Sequence, residues 1–432
     1  MKKKFRILII GSGGREHAIA WSFTRDTNVE KVFCAPGNGG TASLAENVKI
    51  SINDFDGLIR FVRQHNIDFT VVGPELPLSA GIVDHFDAEG ELIFGPTQSA
   101  ARLESSKIFA REFMERNHIP QPKFIVCDSL DAAREAQKTF GFPLVVKADG
   151  LAAGKGVIIC NTESEFDTAM DQMFTRQVFG TAGERITIEK FLEGEELSVF
   201  AVCDGDTFVV LNTAQDHKRI FEEDEGPNTG GMGAYSPTRL ATPELMSRIE
   251  SLVLIPTLAG LKKEGTPYKG FLYAGIMVVN GEPYVIEYNV RLGDPETQVV
   301  LPLLKSSFAE LIFASLQQEL HNVNVEISSD TAVTVVLAVD GYPGKYPKGM
   351  IIEGLEECAH QLIFHAGTER RSDQTVVTTG GRVLNVCGLG QDLSSAIRDA
   401  YSSIGTIRFD HMIYRRDIGQ RGLRYLLRKQ DD

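Results

Sequence analysis

The feature that most constrains the fold of this chain is a series of short apolar runs in its first hundred residues. An amphipathic helix lies between the second and third runs, with apolar residues at helical spacing at Phe55, Leu58, Ile59 and Val62. Strands that alternate with helices predict a doubly wound parallel sheet, whose ligands bind beyond the carboxyl ends of the strands. Each run is followed by a loop rich in glycine and proline, and the four runs are Phe5–Ile10, Lys31–Ala35, Phe69–Gly73 and Leu92–Phe94.

The size and charge of the chain exclude several classes of protein. Its 432 residues correspond to about three domains of ordinary length, and 43% hydrophobic with 24% charged residues is typical of a globular protein. The formal net charge of −14 argues against a sequence-independent nucleic-acid binder, because neutralising phosphates requires a surplus of Lys and Arg. Anionic small molecules remain possible substrates, because a local field can oppose the global sign.

The cysteines and the N-terminal segment predict a cytoplasmic protein. The six cysteines are scattered, and none forms a C-x-x-C pair, as zinc ribbons and thioredoxin-like motifs would require. Free thiols suit a reducing compartment. The first apolar run is interrupted by Arg6 and ends at Gly11, which is too short for an export signal. No run approaches the ~18 apolar residues of a membrane span, so no membrane contact is expected.

Two further regions follow the first sheet. The second opens near Ser105-Ser106-Lys107, which is typical of a helix cap, and continues to about Ser315. The third begins near Asp330 with the apolar strand Ala332–Val339. Later strand signals and a helix predict a compact α+β ending, and they lie at Leu362–His365, Arg382–Val386 and Ser394–Ser403.

The loop Gly11-Ser12-Gly13-Gly14 follows a strand and opens a helix, which favours an anion at the helix N-terminus. The dinucleotide fingerprint requires a third glycine where this chain has Glu16, so a dehydrogenase is disfavoured. A tight turn that needs positive φ is the alternative interpretation. We favour phosphate binding, since three glycines in four residues stand at the carboxyl end of a strand.

A second glycine-rich stretch, Asp149–Val157, is similar to a Walker loop but differs from it twice. Only three residues separate Gly150 from Gly154, and Gly156 stands where Ser or Thr should follow Lys155. Strands are predicted on both sides, at Pro143–Lys147 and Val157–Cys160. A glycine-rich hairpin can close over a nucleotide as a lid, and a plain hairpin turn is the alternative.

Two acidic segments could contribute to a nucleotide site. Ile188–Leu192 is interpreted as a strand edge, followed by the acidic turn Glu193–Glu196. Such an edge could offer backbone groups to adenine while a carboxylate accepts from ribose hydroxyls, and a solvated acidic turn is the alternative. In Tyr284–Asn289, strand periodicity places Glu287 and Asn289 on one face and Tyr288 on the other. Two oxygen ligands at this spacing suit Mg²⁺, and Arg291 follows on the same face. A surface salt-bridge cluster is the alternative.

The segments Asp216–Arg219 and Gly226–Tyr235 complete the set of motifs. The second segment combines four glycines with amide and hydroxyl side chains, which is typical of a backbone-lined anion site. A mobile surface loop is the alternative. His217 could act as a general base, but a lone histidine is more often structural or substrate-positioning.

Together these motifs resemble one family, phosphoribosylamine–glycine ligase or glycinamide ribonucleotide synthetase, within the ATP-grasp superfamily. The loop Gly226–Pro237 together with Gly293–Gln298 distinguishes this ligase among ATP-grasp enzymes. The resemblance covers nearly the whole length, through Gly11–His17, Ala35–Thr41, Val72–Pro77, Phe94–Thr97, Glu104–Lys107, Lys147–Val157, Asp216–Arg219, Gly226–Pro237, Gly270–Gly275, Glu287–Gln298, Gly341–Gly344, Phe364–Thr368 and Gly380–Arg382.

The resemblance implies an α/β and α+β multidomain fold with three domains. These are an N-terminal Rossmann-like domain at 1–104, an ATP-grasp domain at 105–325 with a lid subdomain at about 121–193, and a small C-terminal α+β domain at 326–432. It also implies a reaction of purine biosynthesis. ATP phosphorylates glycine, and 5-phosphoribosylamine attacks the glycyl phosphate to give glycinamide ribonucleotide, ADP and phosphate.

The resemblance also implies the roles of individual residues. Those expected to bind ATP are Lys107, Lys147, Gly154, Lys155, Gly156, the adenine hinge Glu189, Lys190, Phe191 and Leu192, and the ribose contact Glu195. Those on the phosphoribosylamine side are Gly13, Gly14, Arg15, Asn38, Glu75, Asn228, Thr229, Gly230 and Gly231. Those near glycine and the transferring phosphate are Asp216, Lys218, Arg291 and Asp294, and the ligands of Mg²⁺ or Mn²⁺ are Glu287 and Asn289.

Three residues differ from those that are common in the family. Lys190 stands where a second glutamate is common, and Val290 and Leu292 stand where cysteine and phenylalanine are frequent. Another ATP-grasp ligase or carboxylase, or a nucleotide-binding regulatory protein without turnover, is the competing interpretation. We expect a monomer with small-molecule substrates only. The unstable amine would arrive by free diffusion or through a transient contact with the preceding pathway enzyme.

Overall fold

The computed structural model describes residues 4–151 and 156–428 of the chain. The N-terminal strands are β1 Phe5–Gly11, β2 Val29–Pro36, β3 Glu46–Asn47, β4 Phe69–Val72 and β5 Ile93–Phe94. They form one parallel sheet in the order β3-β2-β1-β4-β5. Each predicted apolar run forms a strand, so the predicted doubly wound sheet is confirmed.

Helices pack on both faces of this sheet. They are α1 Gly14–Thr24, α2 Phe55–His65, α3 Glu75–Ser79, α4 Ile82–Ala88 and α5 Gln98–Ser105. Ile7 and Ile9 of β1 are buried with Phe23 of α1, whereas Leu8 and Ile10 are buried with residues of α2. Because β1 is covered on both sides, its sequence is a continuous apolar run and does not alternate.

The central region begins with a small antiparallel sheet. Its elements are α6 Lys107–Arg116, β6 Phe124–Cys127, α7 Leu130–Phe140, β7 Leu144–Ala148, β8 Val157–Cys160, α8 Glu163–Met170 and β9 Ile186–Lys190. The strand order is β6-β9-β7-β8. The Ser106 side chain accepts from the backbone N–H of Phe109 and caps α6, as its position in the sequence predicts. The strands predicted on either side of the glycine-rich hairpin are β7 and β8.

The interpretation of Ile188–Leu192 as a sheet edge is wrong. Strand β9 lies between β6 and β7, and Glu189 pairs with Phe124 on one side and Val145 on the other. Lys190 still donates its backbone N–H to the carbonyl of Lys123. With this N–H used, a hinge can offer a ligand the backbone groups at the end of β9, from the carbonyl of Lys190 through Phe191 and Leu192.

A second antiparallel sheet forms the base of the central region. The elements that follow β9 are β10 Glu195–Asp204, β11 Phe208–Val210, β12 Gln215–Asp216, β13 Gly233–Ser236, α9 Pro243–Ile249, α10 Ile255–Lys263, β14 Lys269–Val279, β15 Glu282–Asn289, α11 Thr297–Val300 and α12 Phe308–Leu316. The base sheet has the order β11-β10-β14-β15. Strands β12 and β13 are not part of it.

The C-terminal region contains the remaining strands and helices. They are β16 Thr331–Val339, β17 Leu362–His365, β18 Thr368–Arg370, β19 Val376–Thr378, β20 Arg382–Gly390, α13 Leu393–Ser402, β21 Met412–Ile413 and α14 Gln420–Arg428. The main sheet has the order β12-β13-β16-β20-β17, and β21 also pairs with β16. Two strands from before residue 326 thus complete the sheet of the α+β ending, across the predicted domain boundary.

A buried histidine pair joins the first and last regions. The backbone N–H of His365 donates to Nδ1 of His17 at 2.8 Å, and the amide of Asn38 donates to the carbonyl of His365 at 2.8 Å. Burial lowers the pKa of His17 to about 3 and that of His365 to about 4. Both rings are therefore neutral near pH 7, and their contacts depend on the absence of a proton.

No helix among the described residues has the length and apolar character needed to span a membrane.

The buried histidines predict a loss of stability in mild acid. Between pH 3 and 6.5 the unfolded chain binds a proton at residue 17 that the folded chain does not, so stability falls as the pH decreases through this window. One such group changes the free energy of unfolding by up to about 1.4 kcal/mol per pH unit. His17→Asn should reduce this slope in urea unfolding measured from pH 7 to 4. The exposed His321→Asn is the control, and an unchanged slope in the His17 variant contradicts the prediction.

Close packing of β20 on α13 predicts a second effect on stability. A Cβ at Gly388 would overlap backbone atoms of Ala396 and Ala400 in α13. Gly388→Ala should therefore lower the free energy of unfolding by about 1–3 kcal/mol, as overpacking does elsewhere. Gly405→Ala is the matched control, because a Cβ there meets nothing within 4 Å. Equal denaturation midpoints for the two variants would show that the helix can move away at no cost.

Candidate active site

The end of β15 presents a carboxylate and an amide to one side of the base sheet. Glu287 and Asn289 are half-buried, while Tyr288 between them is buried and its hydroxyl lies 2.6 Å from Oγ1 of Thr257. The predicted arrangement of these three residues is confirmed. The register of β14 against β15 shifts at Ile286, so a β-bulge directly precedes Glu287. Bulges of this kind change the direction of a side chain beside a functional site.

Lys218 lies between two carboxylates at this surface. Its Nζ is 2.8 Å from Oε1 of Glu196 and 3.3 Å from Oε1 of Glu287. Burial would raise the pKa of Glu287, but the ammonium groups of Lys218, Lys107 and Lys147 lower it to about 2. Burial would likewise lower the pKa of Lys218, yet the carboxylates of Glu196 and Glu287 raise it well above its ordinary value. Both groups are therefore charged at neutral pH.

Asp216 and Glu296 add buried acidic groups next to Lys218. Burial raises the pKa of Asp216 well above its ordinary value, and the carboxylate of Glu296 adds to this effect while Lys218 opposes it. Burial also raises the pKa of Glu296, whose Oε1 accepts from Ser198 at 3.4 Å. Burial therefore favours the protonated forms of Asp216 and Glu296, while Glu196 and Glu287 are the carboxylates that pair with Lys218.

Lys147 lies where the sheet β6-β9-β7-β8, here called the lid sheet, meets the base sheet. Its Nζ is 3.0 Å from Oε2 of Glu189 and donates to the carbonyl of Ile286 at 2.8 Å. Burial lowers the pKa of Lys147 to about 8, against the opposing effect of Glu189. Lys107 at the start of α6 lines the same pocket as Lys147, Glu189 and Glu287. The two lysines thus place positive charge next to the acidic end of β15.

Arg291 connects β15 to the first domain. Its Nη2 is 3.0 Å from Oε1 of Glu104 and 3.3 Å from Oδ1 of Asn289, and its Nε is 3.4 Å from Oε2 of Glu75. The other oxygen of Glu104 accepts from the backbone N–H of Val290 at 2.7 Å. Burial would lower the pKa of Arg291, but Glu104 and Glu75 raise it further above its ordinary value. Arg291 therefore stays charged and held by three side chains.

The first glycine-rich loop is occupied in part by the protein itself. Gly11 has φ +129°, so the tight-turn interpretation accounts for this residue. The Glu16 carboxylate, which replaces the third glycine, accepts from the N–H of Gly13 and pairs with Nε of Arg15 at 2.6 Å. A side chain at Gly14 would overlap the amides of Gln298 and Asn385. These side chains close one part of the helix N-terminus and leave the remaining N–H groups for an anion.

The side chain of Asn38 contacts other parts of the protein and is not placed to contact a ligand directly. Its amide donates to the carbonyl of Ser12 at 2.9 Å and to His365, and its Oδ1 accepts from the N–H groups of Gly40 and Thr41. The side chain is buried. Asn38 therefore holds two glycine-rich loops together, and its contribution to a substrate site is the shape of those loops.

The loop 226–236 is held in place and is not a mobile surface loop. The backbone N–H and the hydroxyl of Thr229 both donate to the carbonyl of Lys218 at 2.8 Å. Arg382 donates to the carbonyls of Gly230 and Asp294 at 2.6 Å, and its Nη2 is 3.2 Å from Oδ2 of Asp294. Arg382 and Arg15 lower the pKa of Asp294 against the effect of burial. The C-terminal region thus fixes the loop that contacts the backbone of Lys218.

Four predicted residues lie outside the contacts given above or outside the described part of the chain. Gly154 and Lys155 lie outside the described residues. Gly156 is buried, and its carbonyl accepts from the backbone N–H of Ala148 at 2.8 Å. His217 is buried with its pKa lowered to about 3, first by burial, and its Nδ1 has no hydrogen-bond partner among the described residues. This environment supports a structural role for His217 and not that of a general base.

The predicted residues separate into two adjoining groups. The first surrounds β15 and the lid sheet, and it contains Lys107, Lys147, Glu189, Asp216, Lys218, Glu287 and Asn289. The second lies toward the first domain, and it contains Arg15, Glu75, Arg291 and Asp294. Other predicted residues are not members of these two groups. Glu195 is half-exposed and pairs with Val278 in the base sheet. Phe191 and Leu192 follow β9, and Asn228 forms a β-bridge with Arg219.

Several charged residues of the site have no role in the sequence interpretation. They are Glu104, Arg111, Glu196, Glu296 and Arg382. Arg111 follows Lys107 by four residues and therefore lies on the same face of α6, which was the available signal. The contacts of Arg382 join distant segments, and no local pattern indicates them.

Glu287 and Asn289 could hold a divalent ion. Among the described residues, no group of three or more His, Cys, Asp or Glu side chains has the arrangement of a metal site. A pair of oxygen ligands is nevertheless suited to Mg²⁺, which is usually completed by waters and substrate phosphates. The ionised carboxylate of Glu287 fits this requirement, with Lys218 as its competing partner.

The fold and the charged surface define an ATP-grasp protein. A family model described as the ATP-grasp domain of phosphoribosylglycinamide synthetase matches residues 105–297. The biotin carboxylase domain of a 2-oxoglutarate carboxylase from Hydrogenobacter thermophilus has the same fold. Its TM-score is 0.73 at 14% identity, over 96% of this chain and 92% of that chain.

The chain belongs to the phosphoribosylglycinamide synthetase family. The N-domain and C-domain models of this family match residues 5–104 and 332–421. A phosphoribosylamine–glycine ligase from Neisseria meningitidis is 48% identical over 97% of this chain and 99% of that protein. The crystal structure of the ligase from Thermotoga maritima has a TM-score of 0.83 and is 38% identical, over 95% of this chain and 99% of that one. The family resemblance and the three-domain architecture are confirmed.

The contacts of Glu104 predict that replacing its carboxylate by an amide lowers the stability of the fold. Both oxygens are acceptors, and Glu104→Gln would leave either Arg291 or Val290 facing an N–H group. We expect the free energy of unfolding to fall by about 1.5–3 kcal/mol, which is typical of a lost hydrogen bond to a charged group. Glu89→Gln removes an exposed ion pair with Arg63 and is the matched control. Equal unfolding curves for the two variants would remove this role of Glu104.

Proposed function

We propose that this chain joins glycine to 5-phosphoribosylamine, using ATP and forming glycinamide ribonucleotide, ADP and phosphate in purine biosynthesis. The observation that carries this proposal is the end of β15, where Glu287 pairs with Lys218, Asn289 contacts Arg291, and the carbonyl of Ile286 accepts from Lys147. The full-length similarity to phosphoribosylamine–glycine ligases supports the choice of substrates.

The first step transfers the γ-phosphoryl group of ATP to a carboxylate oxygen of glycine. The bond between this phosphorus and ADP breaks as the new P–O bond forms, so the protein must position the reactants and neutralise charge. Lys107 and Lys147 are placed to contact ATP phosphates, and Lys218 and Arg291 to contact the oxygens of the transferring group. Glu287 and Asn289 would hold Mg²⁺ or Mn²⁺, and such an ion would neutralise part of the phosphate charge.

The second step forms the C–N bond. The amine of 5-phosphoribosylamine attacks the acyl carbon, phosphate leaves with the C–O electron pair, and the nitrogen loses one proton. We assign the phosphoribosylamine to the side of Gly13, Gly14 and Arg15, because a helix N-terminus there favours an anion. Glu75 and Asp294 border the same side. The predicted loop 228–231 lies between this side and Lys218.

The glycine-rich segment between β7 and β8 is proposed to close over the nucleotide. A glycyl phosphate hydrolyses if water reaches it, so closure would prevent wasted ATP. Lys190, Phe191 and Leu192, where β9 ends, are the hinge residues proposed to reach adenine through their backbone groups. Glu195 is proposed to contact the ribose. Gly154 and Lys155 belong to the proposed lid.

We further propose that the chain acts as a monomer with Mg²⁺ or Mn²⁺, and that it makes a transient contact with the preceding pathway enzyme. A cytoplasmic location agrees with six cysteines that are all buried and unpaired.

The proposed reaction is tested by following ADP release with ATP, Mg²⁺ and glycine. Phosphoribosylamine, generated from ribose 5-phosphate and ammonia, is added or left out. We expect ADP release above background when glycine and phosphoribosylamine are both present. Any release with glycine alone should be much slower. If the complete mixture gives no ADP above background, the proposed function is wrong. A carboxylase of the same fold would instead respond to bicarbonate.

The proposed metal ligand gives a separate prediction. Glu287→Ala should reduce ADP release at least about 100-fold, because it removes a ligand of the divalent ion that would neutralise charge on the transferring phosphate. The matched control is Glu282→Ala on the same strand, whose carboxylate forms an exposed ion pair with Arg248. The unfolding midpoint of each variant shows whether the fold is kept. A near-normal rate in a folded Glu287 variant would remove its assigned role.

A further inference from the structure

Arg111 of α6 is a buried arginine with a full set of acceptors. It is 2% exposed. Its Nε and Nη2 donate to the two oxygens of Glu189, both at 2.7 Å. Nη1 donates to the carbonyl of Val285 at 2.9 Å and to Oε1 of Gln121 at 3.3 Å, and Nη2 also donates to the carbonyl of Ile286 at 2.8 Å. All five N–H groups of the guanidinium are therefore used, so Arg111 is enclosed by protein.

These acceptors belong to two different sheets. Glu189 is on β9, in the centre of the lid sheet, and pairs with β6 and β7. The carbonyls of Val285 and Ile286 are on β15, at the bulge that precedes Glu287. Arg111 thus fixes the position of the lid sheet relative to the base sheet at one point. A planar guanidinium can do this because its five donors have a fixed geometry.

Lys147 shares two of these acceptors. Its ammonium lies 3.0 Å from Oε2 of Glu189 and donates to the carbonyl of Ile286 at 2.8 Å. The same two groups are held by Nη2 of Arg111. The position of the Lys147 ammonium is therefore set by atoms whose own positions depend on Arg111.

We propose that Arg111 is a positioning residue for nucleotide binding, which acts on Lys147 through Glu189 and the bulge of β15. This inference rests on the proposed role of Lys147 as a contact of the ATP phosphates. Without the guanidinium, the carboxylate of Glu189 keeps only Lys147 and Thr187 as partners, and the ammonium is drawn toward Glu189 and away from the phosphates. The loss should therefore weaken nucleotide binding and leave glycine binding nearly unchanged.

The test compares Arg111→Met, Arg111→Lys and Arg116→Met in the full chain. Arg116 is on the same helix and pairs with Glu264 at the exposed surface, so its variant is the matched control. We expect Arg111→Met to raise the KM for ATP and the Kd for ADP, measured by calorimetry, at least about 10-fold. The KM for glycine should change less than about two-fold. Arg111→Lys should restore part of the affinity for ADP, because it returns the charge without the fork.

Glu189→Gln is the second variant, since Arg111→Met could fail to fold. It keeps the volume of the side chain but removes the carboxylate through which Arg111 sets the position of the Lys147 ammonium, so the ammonium is again misplaced and the Kd for ADP should rise. A folded Arg111→Met or Glu189→Gln variant with unchanged Kd for ADP would overturn the inference. An equal rise in the KM values of ATP and glycine would also overturn it, because it would indicate general disruption. The ADP titration does not depend on turnover, so its outcome is separate from that of the proposed function.

Discussion

The site depends on the β-bulge in β15. Val285 and Tyr288 are both buried in the core, and Glu287 and Asn289 face the other side. In a regular strand, Val285 and Glu287 would share a face, so the core and the carboxylate could not both be accommodated. The extra residue, Ile286, changes the phase. Its carbonyl is then available to Lys147 and Arg111, which links the bulge to the lid sheet.

Around this bulge, buried charges are tolerated because nearly every one has a partner of opposite sign. Glu189 pairs with Arg111 and Lys147, Glu287 with Lys218, and Arg291 with Glu104 and Glu75. Replacing one partner of a buried ion pair lowers the free energy of unfolding, because the other charge stays buried without compensation. The net charge of −14 describes the whole chain and does not predict the lysines and arginines gathered at the site. A substrate phosphate meets this local charge and not the average.

The three domains form the site through contacts between them. Glu75 and Glu104 from the first domain hold Arg291 of the central domain, and Arg382 from the last holds Asp294. The C-terminal sheet takes in β12 and β13, so the turn that carries Lys218 is fixed by a different domain from the one that carries Glu287.

The sequence by itself determined the parallel N-terminal sheet, the strands β7 and β8 around the glycine-rich hairpin, and the face shared by Glu287 and Asn289. These features follow from local rules of strand and helix periodicity. Only the tertiary structure decided that β9 is a central strand, that the Asn38 amide is used within the protein, and that Arg111 and Arg382 belong to the site. Those facts depend on contacts between segments far apart in the chain, such as Arg111 with Ile286, and local spacing indicates no more than the helix face that Arg111 shares with Lys107.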